Sequence, residues 1–263
     1  MIKIENTDIF GWEAAVRGAR NPINSWEKSD SRFLRGIYIG ENNELNGDWR
    51  DILNAKDCSI SEPYSIDCPK VIIGPNDHKL LMNLCKGGTE EAKWRRMIHV
   101  QMDATAPLYW WKEFDTYKVG TVSNSCSTMH KIHAKEFTRD DFSCEHLWGC
   151  LPEDTPESEV DTDCWIEDPY GINDLVSGDV LNFTIAMLNK ARDLFLQTKD
   201  KAYWWQLIQL LPSSYNQKRT IDLNYEVLAS QYRQRKDHKL DEWHQYCDWI
   251  QSLPYSEFIT MEK

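Results

Sequence analysis

Between Thr105 and Ser127 the chain sets an apolar, aromatic run, Pro107-Leu108-Tyr109-Trp110-Trp111-Lys112-Glu113-Phe114, against a small and hydroxyl-rich segment, Thr121-Val122-Ser123-Asn124-Ser125-Cys126-Ser127. This boundary constrains the fold more than any other feature. So many large rings must be buried, and the element that buries them delivers hydrogen-bonding groups to the edge of a pocket. Immediately upstream, Met97 to Asp103 alternates apolar and polar residues, which predicts a strand leading into an aromatic helix after Pro107.

Local signals outline the rest. Phe10 to Arg20 has the spacing of a short helix stopped by Asn21-Pro22, and Asp77 is expected to cap a helix through Leu80, Leu81, Leu84 and Cys85 that ends at Gly87-Gly88. Thr89-Glu90-Glu91-Ala92 has the form of a capping box and predicts a further helix. Asn42 to Pro75 is polar and broken by prolines, the composition of a long loop; Glu153 to Asp168 is acidic and is expected as an insertion, near 153–170, in a single domain spanning 1–263. Helices follow from Ser177 (apolar face Leu181, Ile185, Leu188, Phe195), over Tyr203–Leu211, over Thr220–Arg235, and over Asp241–Leu253 with Trp243, Tyr246, Cys247 and Ile250 turned inward.

Composition excludes several classes. With 263 residues and 41% hydrophobic content the chain can bury a substantial core. A net charge of -12 opposes an extended groove for nucleic acid, though a local basic pocket for one phosphate is compatible with it. No apolar run approaches the roughly 20 residues that cross a bilayer, and Met1-Ile2-Lys3-Ile4-Glu5 lacks the apolar region of a signal peptide, so a cytoplasmic protein with no membrane partner is expected. Its eight Cys carry no Cys-x-x-Cys pair and are expected as thiols. The twelve Trp and eleven Tyr suit core and subunit packing.

Standard catalytic signatures are absent: there is no P-loop, no Gly-x-Ser-x-Gly elbow and no His-Glu-x-x-His. Cys126, His130, His133, Cys144, His146 and Cys150 are dense, but none has the paired spacing of structural zinc, and Cys126 has no evident base, so no metal and no covalent nucleophile are expected. One cluster stands out in this acidic chain. Arg17, Arg20, Arg32 and Arg35 surround the hydroxyl-rich stretch from Asn24 to Ser31, which suits a phosphate and equally suits a solvated helix and turn with Arg–Asp pairs.

Two stretches resemble the flavin-dependent thymidylate synthases. That family carries an apolar helix leading to Arg-Gln-Trp-Phe-Arg-His-Arg and then Ser-x-Asn-Glu-x-Ser-x-Arg-Tyr. Here Pro107-Leu108-Tyr109 is similar to the start, Lys112-Glu113-Phe114 falls at Arg-Gln-Trp, and Thr116-Tyr117-Lys118 takes the place of Arg-His-Arg. With one inserted residue, Asn124, Ser125 and Ser127 match Asn, Glu and the second Ser, while Met129-His130 replaces Arg-Tyr. The C-terminal pattern needs no gap: Leu211-Pro212, Gln217-Lys218 at Thr-Arg, Asn224, Leu228 and Gln234-Arg235 fall in order.

The resemblance implies an α+β fold, a mainly antiparallel sheet flanked by long helices, assembled as a homotetramer with shared sites. It implies a flavoprotein methyltransferase of nucleotide biosynthesis, in which FAD, NADPH and methylenetetrahydrofolate serve transfer of a one-carbon unit to C5 of dUMP or a related deoxynucleotide. Thymidylate or a hydroxymethyl variant would be the product, the latter fitting a phage-encoded protein acting in host cytoplasm. Ser127, Lys218 and Arg235 then look like nucleotide ligands, and Glu113, Lys118, Asn124 and Asn224 like the flavin side. Two cations of Arg-His-Arg and the Arg replaced by Met129 are missing, each worth roughly 1.5–3 kcal/mol in charge-assisted hydrogen bonds, and the cluster of Arg17, Arg20, Arg32 and Arg35 is the candidate substitute. The alternative is a non-catalytic nucleotide- or flavin-binding protein that keeps the fold.

Overall fold

The computed structural model describes residues 1–33, 71–149 and 176–261, together with the backbone of short strands between 38 and 67. In chain order its main elements are strand β1 (Lys3–Phe10), helices α1 (Trp12–Arg20) and α2 (Pro75–Gly87), strand β2 (His99–Pro107), helix α3 (Leu108–Phe114), strand β3 (Val122–Ser125), helices α4 (Ser177–Thr198) and α5 (Lys201–Leu210), strand β4 (Asn216–Asn224), and helices α6 (Tyr225–Arg235), α7 (Asp241–Ser252) and α8 (Glu257–Thr260). The architecture is mixed helix and sheet. The four strands form one sheet in the order β1-β2-β4-β3, and β4 runs antiparallel to β3, with Arg219 opposite Ser125 and Thr220 opposite Asn124.

Much of the stretch read as a loop over Asn42–Pro75 lies outside the described residues; within it Ser59–Ser61 pairs with Ser65–Asp67, and Val71–Ile72 pairs with Arg32–Phe33. The acidic segment Glu153–Asp168 also lies outside them, as does Arg35. The chain forms two compact units. One comprises Met1–Thr7, Gln101–Asp222 and Arg235–Trp249; the other comprises Asp8–Val100, Leu223–Gln234 and Ile250–Lys263.

Within the first unit the aromatic run does what its composition demands. Trp110 is fully buried and packs against Trp111, Phe114, Trp243 and Tyr246 at ring separations of 4.7–5.5 Å. The indole of Trp111 donates to the Gln217 carbonyl at 3.0 Å, which ties α3 to β4. A separate apolar cluster joins Ile132, Phe137 and Phe142 to Leu181, Leu188 and Ala191 of α4 and Leu207 of α5.

The second unit is built around Trp12, which meets Tyr225 edge-on at 5.2 Å, and Trp94, which meets Phe258 edge-on at 5.2 Å. Of the ten tryptophans among the described residues, Trp12, Trp94, Trp110, Trp111 and Trp243 are buried in the chain, whereas Trp26, Trp148 and Trp205 are exposed.

Several local expectations shift for identifiable reasons. The helix expected over Thr220–Arg235 begins only at Tyr225. Ile221 and Leu223 are buried while Thr220 is exposed, a period of two, and pairing with β3 makes this stretch a strand. Asn224 sits at the junction, its Oδ1 accepting from the N–H groups of Glu226 and Val227 at 3.1 Å each, as an N-cap does. At the other end of the chain Phe10 closes β1, stacked on His99, and the helix starts only after Gly11. Gly11 has φ 94°, and a Cβ there would lie 1.9 Å from the Met97 carbonyl oxygen, so only glycine fits this turn.

Asp77 does not cap α2. The carboxylate of Asp30 takes that role, accepting from the N–H groups of Asn76 and Asp77. Ser177 likewise opens α4 without capping it; Asp179 accepts from the Val176 N–H, and Ser177 Oγ accepts from Trp148 N–H. Thr89–Ala92 leads into a 3₁₀ stretch, Glu91–Met97, in place of the expected α-helix. The helix expected over Asp241–Leu253 is present as α7, with Trp243, Tyr246, Cys247 and Ile250 buried.

Candidate functional site

The residues singled out by sequence fall into four surroundings. In the second unit, Arg20 is 3% exposed and turned inward. Its Nε donates to Asp77 Oδ1 at 2.5 Å, Nη1 to Ser25, and Nη2 to the Lys28 carbonyl at 3.0 Å. Asp77 in turn accepts from the hydroxyls of Ser29 and Ser31 and the N–H groups of Asp30 and Ser31. Burial pushes the Asp77 carboxyl up, but the hydrogen bonds from Ser31, Ser29 and Arg20 outweigh it and hold it below the usual aspartate range. The hydroxyl-rich stretch thus serves this buried ion pair, and Arg20 is corrected from a phosphate ligand to a structural residue. Arg17 is exposed and lies 3.7 Å from Glu13 one turn away. Of the two readings of this cluster, the Arg–Asp pair is the one observed.

On the sheet, β2 buries Val100, Met102, Ala104 and Ala106 and turns Gln101, Asp103 and Thr105 the other way. Lys218 projects from β4 to Asp103 at 3.1 Å, with Glu5 at 3.9 Å. Hydrogen bonds from Thr220, Asn6 and Lys218 hold the Asp103 carboxyl down at about 2, so it is ionised throughout the physiological range. Two carboxylates beside Lys218 oppose a phosphate there unless the ligand displaces them.

Around α3, Arg235 is stacked on aromatic faces, its guanidinium 4.7 Å from the Trp243 ring centre and 5.6 Å from that of Tyr117. Its Nε donates to Tyr117 Oη at 2.9 Å and Nη1 to Glu113 Oε2 at 2.9 Å. The same Glu113 oxygen accepts from the Trp243 indole at 2.7 Å and lies 3.3 Å from His238 Nε2. Glu113, expected to face a flavin, is therefore the acceptor that organises this cluster. Sequence reasoning missed Tyr117, His238 and Trp243 as its members. The one available signal was the aromatic inner face of the last long helix.

Lys118, Asn124 and Ser127 are exposed, Lys118 in the turn before β3, Asn124 on β3 and Ser127 just after it. Because β3 ends the sheet, these side chains line an edge and not an interior. Ser127 Oγ accepts from the N–H groups of His130 at 2.8 Å and Met129 at 3.2 Å, which shapes the following loop. Nearby, Arg219 stacks over Trp111 at 4.2 Å and pairs with Asp115 at 2.6 Å, fixing β4 against α3.

Cys85, Cys126, Cys144 and Cys247 are free thiols, and burial pushes Cys85 and Cys247 up to about 11, too high for nucleophiles near neutral pH. Among the described residues no three His, Cys, Asp or Glu side chains gather as a metal site.

No protein-family model matches the chain, and no curated protein does. Solved structures do. Thymidylate synthase X from Helicobacter pylori with FAD and dUMP matches at a TM-score of 0.57 and 12% identity, over 100% of this chain and 98% of that one. A second structure of the flavin-dependent enzyme from that organism, complexed with FAD and dUMP, matches at 0.57 and 12% over 99% and 98%. The chain has the fold of thymidylate synthase X. At this identity the likeness to thymidylate synthase X extends to the path of the backbone, and the side chains must be judged on their own surroundings. No helix among the described residues is long and apolar enough to cross a membrane.

Proposed function

We propose that this chain binds FAD and a uracil deoxynucleotide and transfers a one-carbon unit to C5 of the base, working as a single domain of the thymidylate synthase X fold in a homotetramer. The observation that supports this most is the full-length match to a thymidylate synthase X with FAD and dUMP, which reaches both ends of the chain. Bound flavin would supply the redox chemistry, with NADPH as reductant and methylenetetrahydrofolate as carbon donor. The protein's part is positioning. Ser127 offers a hydroxyl to the nucleotide, and Lys118 and Asn124 offer an ammonium and an amide at the exposed edge, donors suited to a phosphate or pyrophosphate. Arg235 adds a guanidinium pre-oriented by its aromatic stack and Lys218 an ammonium.

The spectrum of the purified protein tests this reading. Flavin absorbance together with dUMP-dependent oxidation of NADPH is the expected result. A colourless protein that binds dUMP supports the second reading, a non-catalytic nucleotide binder. One specific observation favours that alternative: Arg20, Lys218 and Arg235, cations on which the site was to depend, are each matched to a carboxylate of the chain.

The oligomer has its own support. Val180, Phe183 and Met187 form an exposed apolar stripe at helical spacing on α4, and Trp205 and Leu210 are exposed on α5. Phe183, at 69% exposure, is the largest apolar side chain on the stripe. We expect Phe183→Glu to shift the protein to monomers in sedimentation at micromolar concentration with little change in its circular dichroism. A wild-type protein already monomeric there overturns the shared-site assembly.

A further inference from the structure

The loop that carries Ser127 is held at both ends. On the sheet side, Cys126 N–H donates to the Lys218 carbonyl at 2.9 Å, and Gln217 Nε2 donates to the Cys126 carbonyl at 2.7 Å. On the helical side, Arg192 Nε donates to the His133 carbonyl at 3.2 Å, the His133 ring meets Phe195 edge-on at 4.9 Å, and Ile132 is buried in the apolar cluster with Leu188 and Leu207. Between these anchors, Ser127 to Lys131 lies at the surface. Among the described residues, the indole of Trp204 on α5 reaches its middle and donates to the Met129 carbonyl at 3.0 Å. Met129 is also one of the two residues whose N–H groups point at Ser127 Oγ. The two ends of the Met129 residue are thus fixed, its N–H by Ser127 and its carbonyl by Trp204, so the orientation of the serine hydroxyl depends on the indole.

We infer that Trp204 is a positioning residue that holds the Ser127 loop in its ligand-ready shape. This rests on the reading of Ser127 as a nucleotide ligand and names what controls it. Half-buried tryptophans donate to whatever carbonyl is at hand, but this one is tethered from below as well. Trp205 packs against it at 4.8 Å and Lys201 lies 6.0 Å from its ring centre, which limits where the indole can point. A ligand that uses the Ser127 hydroxyl then meets a loop already ordered and avoids the entropy of arranging it.

Trp204→Phe keeps a ring in place and removes the N–H, and it is compared with Ser127→Ala and the double variant in the full-length protein. Two readouts are taken, hydrogen exchange of the 127–131 amides and calorimetric titration with dUMP. Expected are faster exchange at Met129 and His130 with the amides of β4 unchanged, and dUMP binding weaker by about 2- to 10-fold in Trp204→Phe, the value of one neutral hydrogen bond. Ser127→Ala should then cost less in the Trp204→Phe background than in the wild type. Unchanged exchange and unchanged affinity in Trp204→Phe overturn the positioning role. Faster exchange in Trp204→Phe combined with full dUMP affinity in Ser127→Ala keeps the clamp and overturns Ser127 as a nucleotide ligand, so the two failures are distinguishable.

Discussion

Asp77→Ala is expected to destabilise the protein by about 3–5 kcal/mol, because it strands the guanidinium of Arg20 in the interior without its counter-charge. Arg20 and Asp77 have side-chain exposures of 4% and 0%, so water cannot replace the lost partner. The same change removes the acceptor of two hydroxyls and two backbone N–H groups. For a chain of this size that corresponds to a fall in melting temperature of roughly 6–20 °C, measurable by calorimetry. The pH dependence carries a sign. The Asp77 carboxyl is depressed in the folded state, so its contribution is present above the unfolded aspartate value near 4 and is lost as pH falls through the lower folded value. Acid titration of wild type should show this loss, and Asp77→Ala should lack it. A variant that melts within a degree or two of wild type would show that the pair contributes little beyond its own desolvation.

Arg235→Ala is the second large effect. Removing the guanidinium takes the Arg235 partner from Glu113, which keeps the Trp243 indole and the nearby His238, and opens the space over Trp243 and Tyr117. If Arg235 addresses the nucleotide as proposed, dUMP affinity falls by roughly 2–4 kcal/mol, the value of one or two charge-assisted hydrogen bonds. Arg233 lies two residues earlier on the same helix and is exposed, and Arg233→Ala should change neither binding nor melting. Arg235→Lys is not a neutral control, since an ammonium cannot both stack and donate to Tyr117 and Glu113 in one plane. Titration of both alanine variants decides the register of α6. Equal losses, or a larger one at Arg233, contradict it. A lower melting temperature with unchanged affinity for Arg235→Ala would assign the residue to the scaffold alone.

How far the sequence could be read follows from what kind of information each feature carried. The aromatic helix Leu108–Phe114 and the inner face of Asp241–Ser252 were legible because burial at helical spacing is a local pattern, and the residues that fill the core are the ones that repeat. The segment from Leu211-Pro212 to Arg235 was legible as a resemblance but not as a conformation. Thr220 to Asn224 has no strong local preference, and the ladder that makes it a strand comes from Val122–Ser125, distant in sequence.

The candidate ligands divide along the same line. That Arg20 lies near several hydroxyls could be seen in the sequence; that those hydroxyls and the guanidinium all converge on Asp77 depends on α2 packing beside α1. Glu113 and Arg235 were both named, on opposite sides of a supposed site, and the fold instead puts one against the other. The chain by itself determined the chemistry available: a large aromatic core, a few cations in an acidic protein, and a hydroxyl-rich edge after Gly120. Only the tertiary structure decided which cations meet carboxylates and which side chains stay exposed at the end of the sheet. Charge pairing acts between residues far apart in sequence and within about 4 Å in space, a distance that the order of residues does not encode.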